Sequence, residues 1–130
     1  MKRFLLLPLL ALGMFLSSCT KEEVVVPNRT IVVTIPANGW KYDNATQTYY
    51  YDIDMPEIDD YTNQVNAIVV AITGDGEIYE AIPDVYDGYS YTYTYQRGAL
   101  VIEVQGADGS TVSPSGKPIT VKITIIESRT

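Results

Sequence analysis

From Thr30 onward, apolar residues recur at every second position rather than at the 3.6-residue spacing of a helix, and they are mostly β-branched or aromatic. That pattern predicts strands. In TIVVTIP, the residues Ile31, Val33 and Ile35 share one face and Pro36 ends the run. QTYYYDIDMP turns Tyr49, Tyr51, Ile53 and Met55 inward and Tyr50, Asp52 and Asp54 to water. QVNAIVVAIT is apolar on both faces and reads as a central strand covered on each side; Gly74-Asp75-Gly76 then turns the chain into EIYEAIP. YSYTYTYQ and ALVIEVQ, joined at Arg97-Gly98, form a hairpin signature with Leu100, Ile102 and Val104 on one side. A Gly-, Ser- and Pro-rich loop over 106–118 leads to ITVKITIIE, where Ile119, Val121, Ile123 and Ile125 line one face.

About seven strands separated by turns, in a chain this short, predict an all-β fold: a single antiparallel β-sandwich, Ig-like or jelly-roll-like, over 30–130. Helix has room only in PEIDDYTNQ, where Pro56 can open one turn.

The first residues follow a different pattern. Met1-Lys2-Arg3 is basic, 4–16 is an apolar run, and Ser17 and Ser18 are small, which is the layout of a secretory signal peptide. The run is shorter than the roughly 20 apolar residues of a membrane span, and Pro8 and Gly13 weaken it as a helix. Leu16-Ser17-Ser18-Cys19 closely resembles the lipobox of bacterial lipoproteins. The resemblance implies cleavage before Cys19, diacylglycerol on its sulfur and acylation of the new amino group. Cys19 is the only cysteine, and a lone thiol in an exported chain otherwise invites oxidation or cross-linking. An ordinary signal peptide with a free thiol, or a disulfide to another chain, are the alternatives. One acyl chain anchors marginally at about 0.8 kcal/mol per buried methylene, whereas two or more hold firmly.

Thr20-Lys21-Glu22-Glu23 looks like the charged export signal behind the lipidated cysteine of Bacteroidetes lipoproteins displayed on the outer surface; a solvated spacer is the plainer alternative. The chain thus divides into a signal peptide (1–18), a lipidated N-terminus and linker (19–29) and a β domain (30–130), with Val24-Val25-Val26 able to add an edge strand. The expected location is the outer membrane, lipid-anchored and facing the exterior. Loss of Lys2 and Arg3 takes the formal charge from −7 to −9, which argues against binding nucleic acid or anionic lipid through bulk charge. The expected membrane contact is lipid alone.

The body carries Trp40, the triplet Tyr49-Tyr50-Tyr51, the apolar stretch 67–72, Ala81-Ile82-Pro83, alternating Tyr91 and Tyr93, and the closing VKITII. Over about 31–127 this spaced pattern resembles a group of small Bacteroidetes surface lipoproteins without an assigned activity. The resemblance implies a compact β domain behind a lipid tether and brings no catalytic residue with it.

The chain has no histidine, which excludes Ser-His-Asp and Cys-His nucleophilic systems and the ordinary zinc site. Asp52 and Asp54 have the spacing of an acid–base pair, but alternating acids on a solvent face are usually just solvated, so no catalytic residue is assigned and an enzyme is not expected. Asp75-Gly76-Glu77, Asp84 with Asp87, and Asp108-Gly109 offer oxygens to calcium, yet none has the spacing of a calcium loop and Asp-Gly is foremost a turn dipeptide. No metal or cofactor is expected.

All 11 tyrosines lie between 42 and 95, and Tyr89, Tyr91, Tyr93 and Tyr95 project to one face. Inward, they are core or core margin; outward, they are a platform for sugar rings or a protein partner. The inward placement is favoured because Ser90, Thr92 and Thr94 leave the other face nothing apolar to bury. Trp40, Tyr42 and Tyr50 are the candidate ligand contacts, Trp40 being either a binding anchor or a plug for one end of the sandwich.

These features point to a non-catalytic binding or accessory lipoprotein, with carbohydrate as the first ligand class. The alternative is an assembly subunit of a cell-envelope or fimbria-like complex that recruits a protein partner by strand addition. A carboxylate-dependent hydrolase is a third and weaker reading. Mass spectrometry of the native product should find residues 1–18 removed and acyl mass on Cys19, and Cys19→Ser should abolish both.

Overall fold

The computed structural model describes residues 26–114 and 116–129. The signal peptide, Cys19 and most of the linker lie outside these residues. Within them the chain forms nine strands and one short helix: β1 Arg29–Ile35, β2 Lys41–Asp43, β3 Thr48–Met55, α1 Asp60–Gln64, β4 Ala67–Thr73, β5 Glu80–Ile82, β6 Asp84–Tyr86, β7 Tyr89–Gln96, β8 Gly98–Gly106 and β9 Ile119–Ile126. Two antiparallel sheets, ordered β1-β9-β4-β5 and β2-β3-β8-β7-β6, pack face to face as an all-β sandwich. The first strand pairs with the last, unlike the immunoglobulin arrangement, in which A, B, E and D form one sheet and C, F and G the other.

The inward faces follow the alternation. Ile119, Val121, Ile123 and Ile125 of β9 and Leu100, Ile102 and Val104 of β8 are buried, joined by Ile53 and Met55 of β3 and by Ile68, Val70 and Ile72 of β4. Tyr49 and Tyr51 pack against this core, while Asp52 and Asp54 are exposed. Burying such a branched or aliphatic side chain is worth about 1.5–3 kcal/mol, so the set outweighs any other single contribution to the fold.

Four expectations need correction. There are nine strands among the described residues rather than about seven, because β2 and β6 have three residues each, too few for an alternation to show. EIYEAIP is a strand only over Glu80–Ile82. The helix starts at Asp60, not Pro56, because the Asp59 carboxylate accepts the Thr62 N–H at 2.8 Å and caps it. Strand β4 is central in its sheet, but Val69 on its outer face is 46% exposed, so only one face is covered.

The two ends of the sandwich differ. At the end where β1 begins, α1 and the residues just after β9, Glu127 and Ser128, close the gap between the sheets. Asn66 is buried there, donating to Thr62 Oγ1 (3.1 Å) and Glu127 Oε2 (2.9 Å) and accepting the Ser128 N–H at 3.0 Å. Arg29 pairs with Glu127 at 3.7 Å. The opposite end gathers the connections β1–β2, β2–β3, β4–β5, β6–β7 and β8–β9. Leu100→Ala, which empties a fully buried position in the middle strand of the five-stranded sheet, should lower unfolding free energy by about 2–5 kcal/mol in denaturant titrations.

Candidate binding cleft

At the end away from the start of β1, edge strands β5 and β6 are too short to close the space between the sheets, and a cleft of about 530 Å³ opens there. Its floor is apolar: Ile72 from β4, Ile119 from β9 and Tyr91 from β7. Tyr86 and Tyr89 line it as a cross-strand pair. The sequence places them through the two-residue loop between β6 and β7. Asp87 has φ 50° and Gly88 φ 81°, the left-handed conformations that a tight hairpin turn requires and that Asp-Gly supplies. Tyr86 is 62% exposed, whereas Tyr91 is buried and its ring stacks on Tyr89 at 6.2 Å between centroids.

The β4–β5 turn forms another side. Asp75 Oδ1 accepts from the Glu77 N–H (2.8 Å), the Ile78 N–H (3.0 Å) and the Thr73 hydroxyl (2.9 Å). Those donors hold the Asp75 carboxyl below the ordinary value of 3.8, the Ile78 N–H contributing most. The stabilisation is therefore complete above that value and is lost as pH falls through the lower folded one. The turn leaves Ile78 70% exposed on the cleft. Asp108 does similar turn work, accepting the Ser110 N–H at 3.0 Å. No group of three or more Cys, Asp or Glu that could hold a metal ion occurs among the described residues.

Two carboxyls point into the space between the sheets. Glu80 lies opposite Ile72 and Asp84 opposite Tyr91, so register puts both acids on inward faces. Partial burial, with Asp84 alongside, raises the Glu80 carboxyl above its ordinary value. At neutral pH this pair costs stability, and the cost is relieved as pH falls through the folded value of Glu80. Lys117 stands on the cleft from the β8–β9 connection.

The tyrosine stripe faces inward. Tyr91 is buried, Tyr89, Tyr93 and Tyr95 pack against the core, and the Tyr93 hydroxyl crosses to the other sheet to donate to the Ile68 carbonyl at 2.7 Å. Desolvation keeps Tyr91 and Tyr93 phenolic, with values above 10.0.

Trp40, Tyr42 and Tyr50 do not form one surface. Trp40 is partly buried, edge-on to Tyr51 at 6.4 Å, and its Nε1 is buried without a hydrogen-bond partner, so the indole packs as a plug. Gly39 permits this approach, since a Cβ there would come within 2.8 Å of Pro36 and 3.1 Å of the Tyr51 ring. Tyr42 is 43% exposed and tilts onto Tyr49, while Tyr50 faces outward between Lys41 and Glu103. Asp52 and Asp54 lie on that same outer face, outside the cleft. The cleft tyrosine that sequence reasoning missed is Tyr86, and Asp87-Gly88 was the signal that could have found it.

No protein-family model matches the chain, and neither any curated protein nor any solved structure is significantly similar to it. Tyr93→Phe, which deletes one hydrogen bond between the sheets, should cost about 1 kcal/mol of unfolding free energy. Tyr86→Ala should stay within about 0.5 kcal/mol of the parent, because its side chain is already in water.

Proposed function

We propose that this chain is a lipid-anchored, outer-membrane, surface-displayed binding protein that takes carbohydrate in the cleft between its sheets. One observation carries the reading: a cleft walled by Tyr86, Tyr89 and Tyr91, with the Tyr86 ring exposed, lies at the end of the sandwich opposite the start of β1. Seven extended residues span about 23 Å at 3.3–3.4 Å each. A tether preceding β1 thus leaves the cleft facing away from the membrane. The cleft has the chemistry of a sugar site, in which tyrosine rings stack on apolar sugar faces while carboxylates and an ammonium at the rim meet hydroxyls. Its volume falls within the range of ordinary ligand pockets.

A second reading, an assembly subunit that recruits an envelope protein by strand addition, is favoured by the sheet edges. The edge strands β2, β5 and β6 have three residues each, whereas β1 offers seven without a proline.

The test is a broad survey of glycans against the lipidated protein, repeated with Tyr86→Ala. Saturable binding that weakens at least tenfold in the variant is the expected result. A survey without a binder, together with cross-linking of β1 to an envelope protein on cells, would replace the carbohydrate reading by the second.

A further inference from the structure

The inward carboxyls and the tyrosine wall meet in one corner. Strand β5 ends the four-stranded sheet and β6 ends the five-stranded one, and the chain passes between them at Pro83. Glu80 and Asp84 flank this crossing, each on the inward-facing side of its strand. Each is a cross-strand partner of a floor residue, Ile72 for Glu80 and Tyr91 for Asp84. The rings of Tyr86, Tyr89 and Tyr91 stand on the β6–β7 side of the same space.

Aromatic faces carry negative potential and attract cations, most strongly where water is thin. Two carboxyls beside such rings reinforce that potential. Two ion pairs, Arg29 with Glu127 and Arg97 with Asp60, lie at the far end of the sandwich. The basic residue on the cleft, Lys117, enters from the loop before β9 rather than from the β5–β6 corner. A pair of like charges facing an apolar interior is unfavourable, the Asp75 and Asp87 carboxyls on the same cleft add to its negative charge, and an ammonium group held between the carboxyls and the rings would offset that cost.

We propose that the cleft selects ligands bearing an organic ammonium group, seated between the Glu80–Asp84 carboxyls and the Tyr86, Tyr89 and Tyr91 rings. Under the carbohydrate reading, on which only the identity of the rest of the ligand depends, the preferred glycan contains amino sugars with free amines. N-acetylation removes the charge and adds bulk where the ammonium sits.

The experiment is calorimetric titration of the full lipidated protein in neutral detergent, at a pH where sugar amines are protonated. The probes are glucosamine oligomers, their N-acetylated counterparts and tetramethylammonium. Free-amine oligomers should bind at least about tenfold more tightly than acetylated ones. Glu80→Gln and Asp84→Asn should erase that preference without lowering the melting midpoint, because each removes a like-charge contact. Tyr86→Ala should weaken both sugars. Equal affinity for the two oligomers would overturn the ammonium site while leaving carbohydrate binding intact. Binding of tetramethylammonium alone, lost in Glu80→Gln, would support the ammonium site and exclude amino sugars as its occupant. Failure of all three probes would overturn the ammonium site and leave the carbohydrate reading to the glycan survey.

Discussion

The structure depends on the mutual burial of alternate side chains from β8 and β9, an inner strand of each sheet. Leu100, Ile102 and Val104 face Ile119, Val121, Ile123 and Ile125 across the interior, and none of the seven is more than 6% exposed. Every other long strand takes its position from one of these two by register: β1 and β4 from β9, β3 and β7 from β8. A one-residue slip of either would turn its apolar set to water, so the hydrophobic pattern fixes the pairing of the whole sandwich.

That dependence also explains what was legible in the chain. Strands β3, β8 and β9 show a clean alternation and their inward sets follow from it directly, whereas β4 is apolar on both faces and its pattern hides that the outer one meets water. The three-residue edges carry no period, so β2 and β6 emerge only in three dimensions. The cleft is bounded by two such edges, which is why its position was hidden even though most of its residues lie in recognised strands and turns. Trp40, Tyr42 and Tyr50 illustrate the same limit from the other side. Neighbours in sequence project to opposite faces of a strand, and nearness along the chain did not bring these three onto one surface.

The two ends of the molecule put polar groups to different use. Near α1, Asn66, Glu127, Thr62 and Arg29 satisfy one another across the gap between the sheets, so that end is closed. Around Pro83 the inward polar groups are two acids with no basic side chain from their own corner of the fold. One end completes its interactions internally; the other leaves negative potential beside aromatic rings, which is where chemistry with another molecule has most to gain.

The antiparallel pairing of β1 with β9 has a mechanical consequence. A pull applied between the residue that precedes β1 and a molecule held at the far end runs parallel to the strands. The seven paired positions from Arg29 to Ile35 would then be loaded together in shear, rather than opened one after another like a zipper. A domain loaded along this axis keeps its first strand paired under forces that would peel one loaded across it.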